Sequence, residues 1–106
     1  MTTDADLILQ MHLFPTEAGG RHSGTPEHSF KCIFKIFGEL YDCQLVLEET
    51  GSIKPGQYAT VPVRLLSPDL LRNRLECGQE VKLCDGLREV GEGKIIEVLP
   101  NGCPQK

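Results

Sequence analysis

The sequence predicts an all-β domain, a closed barrel or a sandwich. Three observations lead there. Six short runs alternate apolar and polar residues at the period of a strand, Gly- and Pro-rich turn signals separate them, and only one short stretch carries a helix signature. At 106 residues there is room for one ordinary domain, here placed over residues 5–100 with a flexible tail at 101–106.

The first run is Leu7 to Phe14, where Leu7, Leu9, Met11 and Leu13 share one face and Gln10 and His12 the other. Pro15 ends it, and the polar stretch from Pro15 to His28 supports only a loop. Phe30, Cys32, Phe34 and Ile36 then alternate with Lys31 and Lys35. After Gly38, Tyr41, Cys43, Leu45 and Leu47 alternate with Asp42 and Gln44, so these two runs read as a hairpin.

Lys54-Pro55-Gly56 has the signature of a type II turn, Pro presetting φ and Gly supplying the positive φ that follows. The next strand carries Ala59, Val61, Val63 and Leu65 on its apolar face. Pro62 within it lacks an N–H, which assigns it to a sheet edge or bulge with the donor-free side outward. Ser67-Pro68-Asp69 reads as a helix start, and Gly78 closes that helix within about two turns. Leu70, Leu71 and Leu75 fall on one helical face, either packed on the end of the sheet or, less simply, free for docking. The last two strands are expected near Glu80–Asp85 and Gly93–Leu99, joined by a loop through Gly86, Gly91 and Gly93.

Composition narrows the function. Hydrophobic residues at 40% and charged residues at 25% describe a globular chain, and a formal net charge of −4 opposes a broad phosphate-binding field. The five cysteines, Cys32, Cys43, Cys77, Cys84 and Cys103, are odd in number and form no C-x-x-C pair. Free thiols in a reducing compartment are therefore expected, in place of a disulfide framework or zinc site. The N-terminal Met1 to Gln10 carries Asp4 and Asp6 with no basic residue before its short apolar run, and no segment is long enough to span a bilayer. These point to the cytoplasm and away from a membrane.

Chemistry is sparse. The segment from Gly19 to Gly24 is Gly-rich but matches neither phosphate-loop pattern, so no nucleotide or other cofactor is expected. A tight turn with exposed Arg21 and His22 is its simplest reading, and a partner contact the next. His12, His22 and His28 lack ligand spacing, so no metal is expected, and His12 belongs on the outer face of its strand. Cys32 and Cys43 sit on apolar faces that suppress a thiolate, and they read as small core residues. The acidic runs read as solvated turns, and no catalytic residue emerges.

Three motifs in order carry a family resemblance. Glu17-Ala18-Gly19-Gly20-Arg21-His22-Ser23 resembles an E-x-G-G-R-H-[ST] loop. Lys54-Pro55-Gly56 with Thr60 to Pro68 resembles an M-P-G-D turn, strand and closing Pro, and Gly86 to Ile96 is similar to a G-G-R-T-V-G-A-G-V-V ending. All belong to the third domain of elongation factor Tu, and the match spans nearly the whole chain. The resemblance implies a six-stranded antiparallel Greek-key β-barrel without the GTPase. In the complete factor this domain touches the T-stem of tRNA and the nucleotide exchange factor. Ser23 and Gly86 match positions near that family's tRNA-contacting surface, and with Arg21, His22 and Arg88 they are the candidate partner contacts.

The departures point away from tRNA. The aromatic, basic stretch that follows the loop in the family is shortened to Gly24 through Phe30, and Ser67 and Cys84 stand where the family often has basic residues. The resemblance thus implies a non-enzymatic module that binds a translation-related protein, with tRNA or another RNA as the alternative partner.

Overall fold

The structure, a computed structural model, describes residues 5–18, 24–66, 75–86 and 88–98. Six strands form, the first five close to where the sequence places them: β1 (Leu7–Leu13), β2 (Ser29–Ile36), β3 (Glu39–Val46), β4 (Tyr58–Leu65), β5 (Glu80–Asp85) and β6 (Arg88–Val98). A single 3-10 turn, Thr16–Ala18, follows β1. Every pairing is antiparallel, and the order β1-β4-β3-β2-β5-β6 closes on itself through β1 and β6. Strands β2, β3 and β4 form a meander and β1 lies beside β4, which is the Greek-key arrangement. Closure gives each described strand a partner on both sides, with the shortest pairings between β2 and β5 and between β3 and β4.

The predicted inward faces fill the barrel. Leu7, Leu9, Met11 and Leu13 from β1 meet Phe34 and Ile36 from β2, with Leu45, Val61, Leu83 and Ile95 from the remaining strands. Ile53, from the segment before β4, and Leu75 also join this core. Leu70 and Leu71 of the expected helix lie outside the described residues; at its expected end Leu75 and Glu76 are not helical, and Cys77 and Gly78 form a turn with Gly78 at φ 89°.

Local chemistry explains the joints. At Lys54-Pro55-Gly56 the Gln57 N–H donates to the Lys54 carbonyl at 2.9 Å and Gly56 takes φ 87°, as the type II reading requires. Just upstream, Thr25 is buried and clasps the loop before β2 to the segment before β4. Its N–H donates to the Ile53 carbonyl and its Oγ1 accepts the Ile53 N–H, both at 2.9 Å.

Asp6 extends the β1–β4 ladder by one step. Its N–H donates to the Val63 carbonyl at 2.8 Å, and its carboxylate Oδ2 accepts the Leu65 N–H at 2.8 Å from a buried position. Removing that acceptor leaves a buried donor unsatisfied, so Asp6→Ala lowers the unfolding free energy by about 1–3 kcal/mol in urea titration. Asp6→Asn keeps an acceptor and recovers most of the loss; equal losses in the two variants would refute this role.

Two expectations need correction. Pro62 is not on an edge, since β4 pairs with β1 on one side and β3 on the other. The Val63 carbonyl points toward β1, so strand alternation turns the Pro62 nitrogen to the β3 side, where pairing has already ended at Leu45↔Val63. The missing donor breaks no ladder bond.

The second correction concerns β6, which begins at Arg88, not near Gly93. Gly91 and Gly93 are strand residues opposite Leu13 and Met11 of β1, and they let the two strands cross closely. A Cβ on Gly91 would lie 2.8 Å from the His12 carbonyl oxygen. Register shifts between Leu83 and Cys84 on one side of β6, and between Ile8 and Leu9 on the other, bend this long strand around the barrel.

Candidate functional site

Antiparallel register turns separate polar faces into a continuous strip on the outer wall. Tyr58 of β4 stands opposite His12 of β1, His12 opposite Glu92 of β6, and Glu92 opposite Lys82 of β5. Lys82 stands opposite Lys35 of β2, and Lys35 opposite Leu40 of β3. One row therefore crosses all six strands. A second row beside it runs from Thr60 through Gln10 and Lys94 to Glu80.

The row is built in three parts. At one end the His12 and Tyr58 rings stack with centroids 4.1 Å apart and planes 12° apart, and Phe14 meets His12 edge-on at 6.1 Å. Tyr58 is 72% exposed, so its outer surface is open to a partner. In the middle, Lys82 Nζ lies 3.0 Å from Glu92 Oε1 and Lys35 Nζ 3.4 Å from Glu89 Oε2. The hydrogen bond that Lys82 donates to the Glu92 carboxylate holds the Lys82 ammonium above its ordinary pKa. Both pairs are solvated and add little to stability; they fix where the charges stand.

At the far end the β2–β3 hairpin turns through Phe37 and Gly38, with φ 56° and 75°. Two successive positive φ values between the paired Ile36 and Glu39 make a type I′ turn, whose twist matches the strands it joins. A bulky side chain pays strain in that region, of order 1–2 kcal/mol, where glycine or asparagine would not. Phe37 is nonetheless 40% exposed. The turn thus presents part of an aromatic ring to solvent at the end of the row.

Between these ends lies an open groove of about 730 Å³ bordered by Gln10, His12, Phe37, Tyr58, Lys82 and Lys94. Its lining holds three lysines (Lys35, Lys82, Lys94) and three glutamates (Glu80, Glu89, Glu92), so the formal charges cancel. The volume is that of a ligand site, while the open shape suits a chain lying along the wall.

Among the residues singled out from the sequence, Gly86 and Arg88 are described. Gly86 has φ 68° in the tight β5–β6 turn, and Arg88 is exposed opposite Asp85, one residue from groove-lining Glu89. Arg21, His22 and Ser23 lie outside the described residues. His12 is on the outer face, as its position in the alternation predicts. Tyr58, Phe37 and the charged row were missed. Their signal was the polar side of each strand, legible only once the strands are put in register.

The cysteines divide. Cys32, Cys43 and Cys84 are free and buried. Cys77 is disulfide-bonded, which corrects the expectation of free thiols throughout and removes one residue from the case for a reducing compartment. Among the described residues no three His, Cys, Asp or Glu side chains gather as metal ligands, and no helix is long and apolar enough to cross a membrane. No protein-family model matches the chain, and no curated protein is significantly similar to it.

Proposed function

We propose that the chain is a non-enzymatic binding module that lays a segment of a protein partner across its outer wall, and that its barrel is related to the third barrel of elongation factor Tu. The observation that carries the binding reading is the strained, exposed Phe37 facing the groove whose other wall is the Tyr58–His12 stack. Exposed aromatics flanking a fixed pattern of charges provide the anchors and polar rim that protein interfaces use.

The charge balance favours protein over RNA. Lys35 and Lys82 are already matched by Glu89 and Glu92, and the chain carries a formal net charge of −4. A phosphate backbone would meet carboxylates beside every such lysine. A partner from the translation apparatus, working in the cytoplasm, rests on the motif resemblance.

The experiment compares partner capture and tRNA binding by the natural chain, Tyr58→Ala and Phe37→Gly. Loss of a central aromatic anchor weakens protein binding by at least about 30-fold. Phe37→Gly relieves the strained φ, so it is expected to retain or raise the urea midpoint while losing binding. Undiminished binding in both variants would refute the groove. A tRNA complex that weakens steeply with added salt would favour the RNA reading, with Arg21→Ala and His22→Ala then testing the loop.

A further inference from the structure

A buried feature with chemistry of its own lies inside the barrel. Cys32 of β2 and Cys43 of β3 are directly opposed, and their Sγ atoms are 3.5 Å apart. Opposed antiparallel residues have Cα atoms roughly 4.5 or 5.5 Å apart, within the roughly 4.4–6.8 Å that a disulfide spans. Joining the sulfurs at roughly 2.05 Å therefore requires closing a gap of about 1.5 Å, with no change of register. We propose that this pair is an oxidation site, a cross-strand dithiol that a hydroperoxide converts to a disulfide within the folded barrel, locking the β2–β3 hairpin that presents Phe37.

The step balances with one peroxide. Cys32 is the more accessible residue of the two, at 6% exposure against 0% for Cys43, and its sulfur attacks a peroxide oxygen. The O–O bond breaks, and the departing hydroxide leaves as water with the Cys32 proton. The Cys43 sulfur then attacks the Cys32 sulfenic sulfur, the S–O bond breaks, and the hydroxyl leaves as water with the Cys43 proton. Two thiols lose two electrons in all, and one hydrogen peroxide is reduced to two waters.

The surroundings set the rate. The hydrogen bond with Cys32, and then burial, hold the Cys43 thiol far above the ordinary thiol range, so the thiolate is scarce and the reaction slow. A compact oxidant is favoured over a bulky disulfide, which would need the hairpin to open. Cys84 of β5, buried and opposite Ile33, supplies an internal reference.

The test treats the purified full chain with hydrogen peroxide, removes the excess, denatures, alkylates with N-ethylmaleimide and maps the peptides without reduction. The expected result joins the Cys32 and Cys43 peptides and leaves Cys84 alkylated. Closing a loop between residues 11 apart in sequence should also lower the unfolding equilibrium constant about a hundredfold. Cys43→Ser should abolish both effects; should that variant fail to fold, the peptide map of the natural chain decides alone. Full alkylation of Cys32 and Cys43, a bridge from either to Cys84, or a cross-linked chain no more stable than the dithiol would overturn the proposal.

Discussion

Gly91→Ala is expected to destabilise the barrel by about 1–3 kcal/mol, as a lower urea midpoint with little change in slope. In an ordinary strand the same change would stabilise by roughly 0.5–1 kcal/mol, because alanine loses less backbone freedom on folding. Here the added Cβ would sit 2.8 Å from the His12 carbonyl oxygen and 3.5 Å from Leu13 Cα and Leu83 Cδ1. The oxygen belongs to the β1 backbone, which is held in the β1–β4 and β1–β6 ladders and cannot swing aside like a side chain. The clash outweighs the entropy. At Gly93 two of the three closest atoms, at 2.9 Å, belong to the Leu9 side chain, which can partly yield, so Gly93→Ala should cost less. A Gly91→Ala chain as stable as the parent would show that β1 and β6 can separate without loss. Because the carbonyl that the new Cβ would strike belongs to His12, which also stacks on Tyr58, the same substitution should weaken partner binding.

These glycines show why part of the fold was illegible in the sequence. Alternation in β1 to β4 is a local signal, and it placed the inward side chains from Leu7 to Leu65 correctly. Gly91 and Gly93 look like loop residues because their reason lies on β1, far away along the chain. The start of β6 was therefore set too late. Pro62 was misread in the same way, since whether it interrupts a ladder depends on where β3 stops pairing.

The candidate site was less legible still, for a related reason. The sequence places His12 on an outer face but cannot say that Tyr58 is beside it, since that follows only from the β1–β4 register. Each of Glu92, Lys82 and Lys35 reads alone as a solvated charge; three successive registers make them a ladder. Phe37 reads as one more apolar residue ahead of Gly38, and only its positive φ and exposure distinguish it.

Phe34→Ala should have the largest effect of any single change, a loss of about 3–5 kcal/mol in unfolding free energy. Phe34 is fully buried and lies on β2 between Tyr41 of β3 and Leu83 of β5. The cost has two parts, the transfer of the ring to water and the cavity left behind, and the second depends on whether the walls can move in. In a closed barrel the backbone ladders fix the circumference, so neighbouring side chains can relax but the strands cannot converge. The loss should fall in the upper part of that range, a large share of the roughly 5–15 kcal/mol typical of a small domain. Phe34→Leu keeps much of the volume and should cost roughly 1–2 kcal/mol. Urea titrations of both variants give the comparison: a loss under about 1 kcal/mol for Phe34→Ala, or no difference from Phe34→Leu, would mean that the interior is loosely filled and the closed wall does not set the cost.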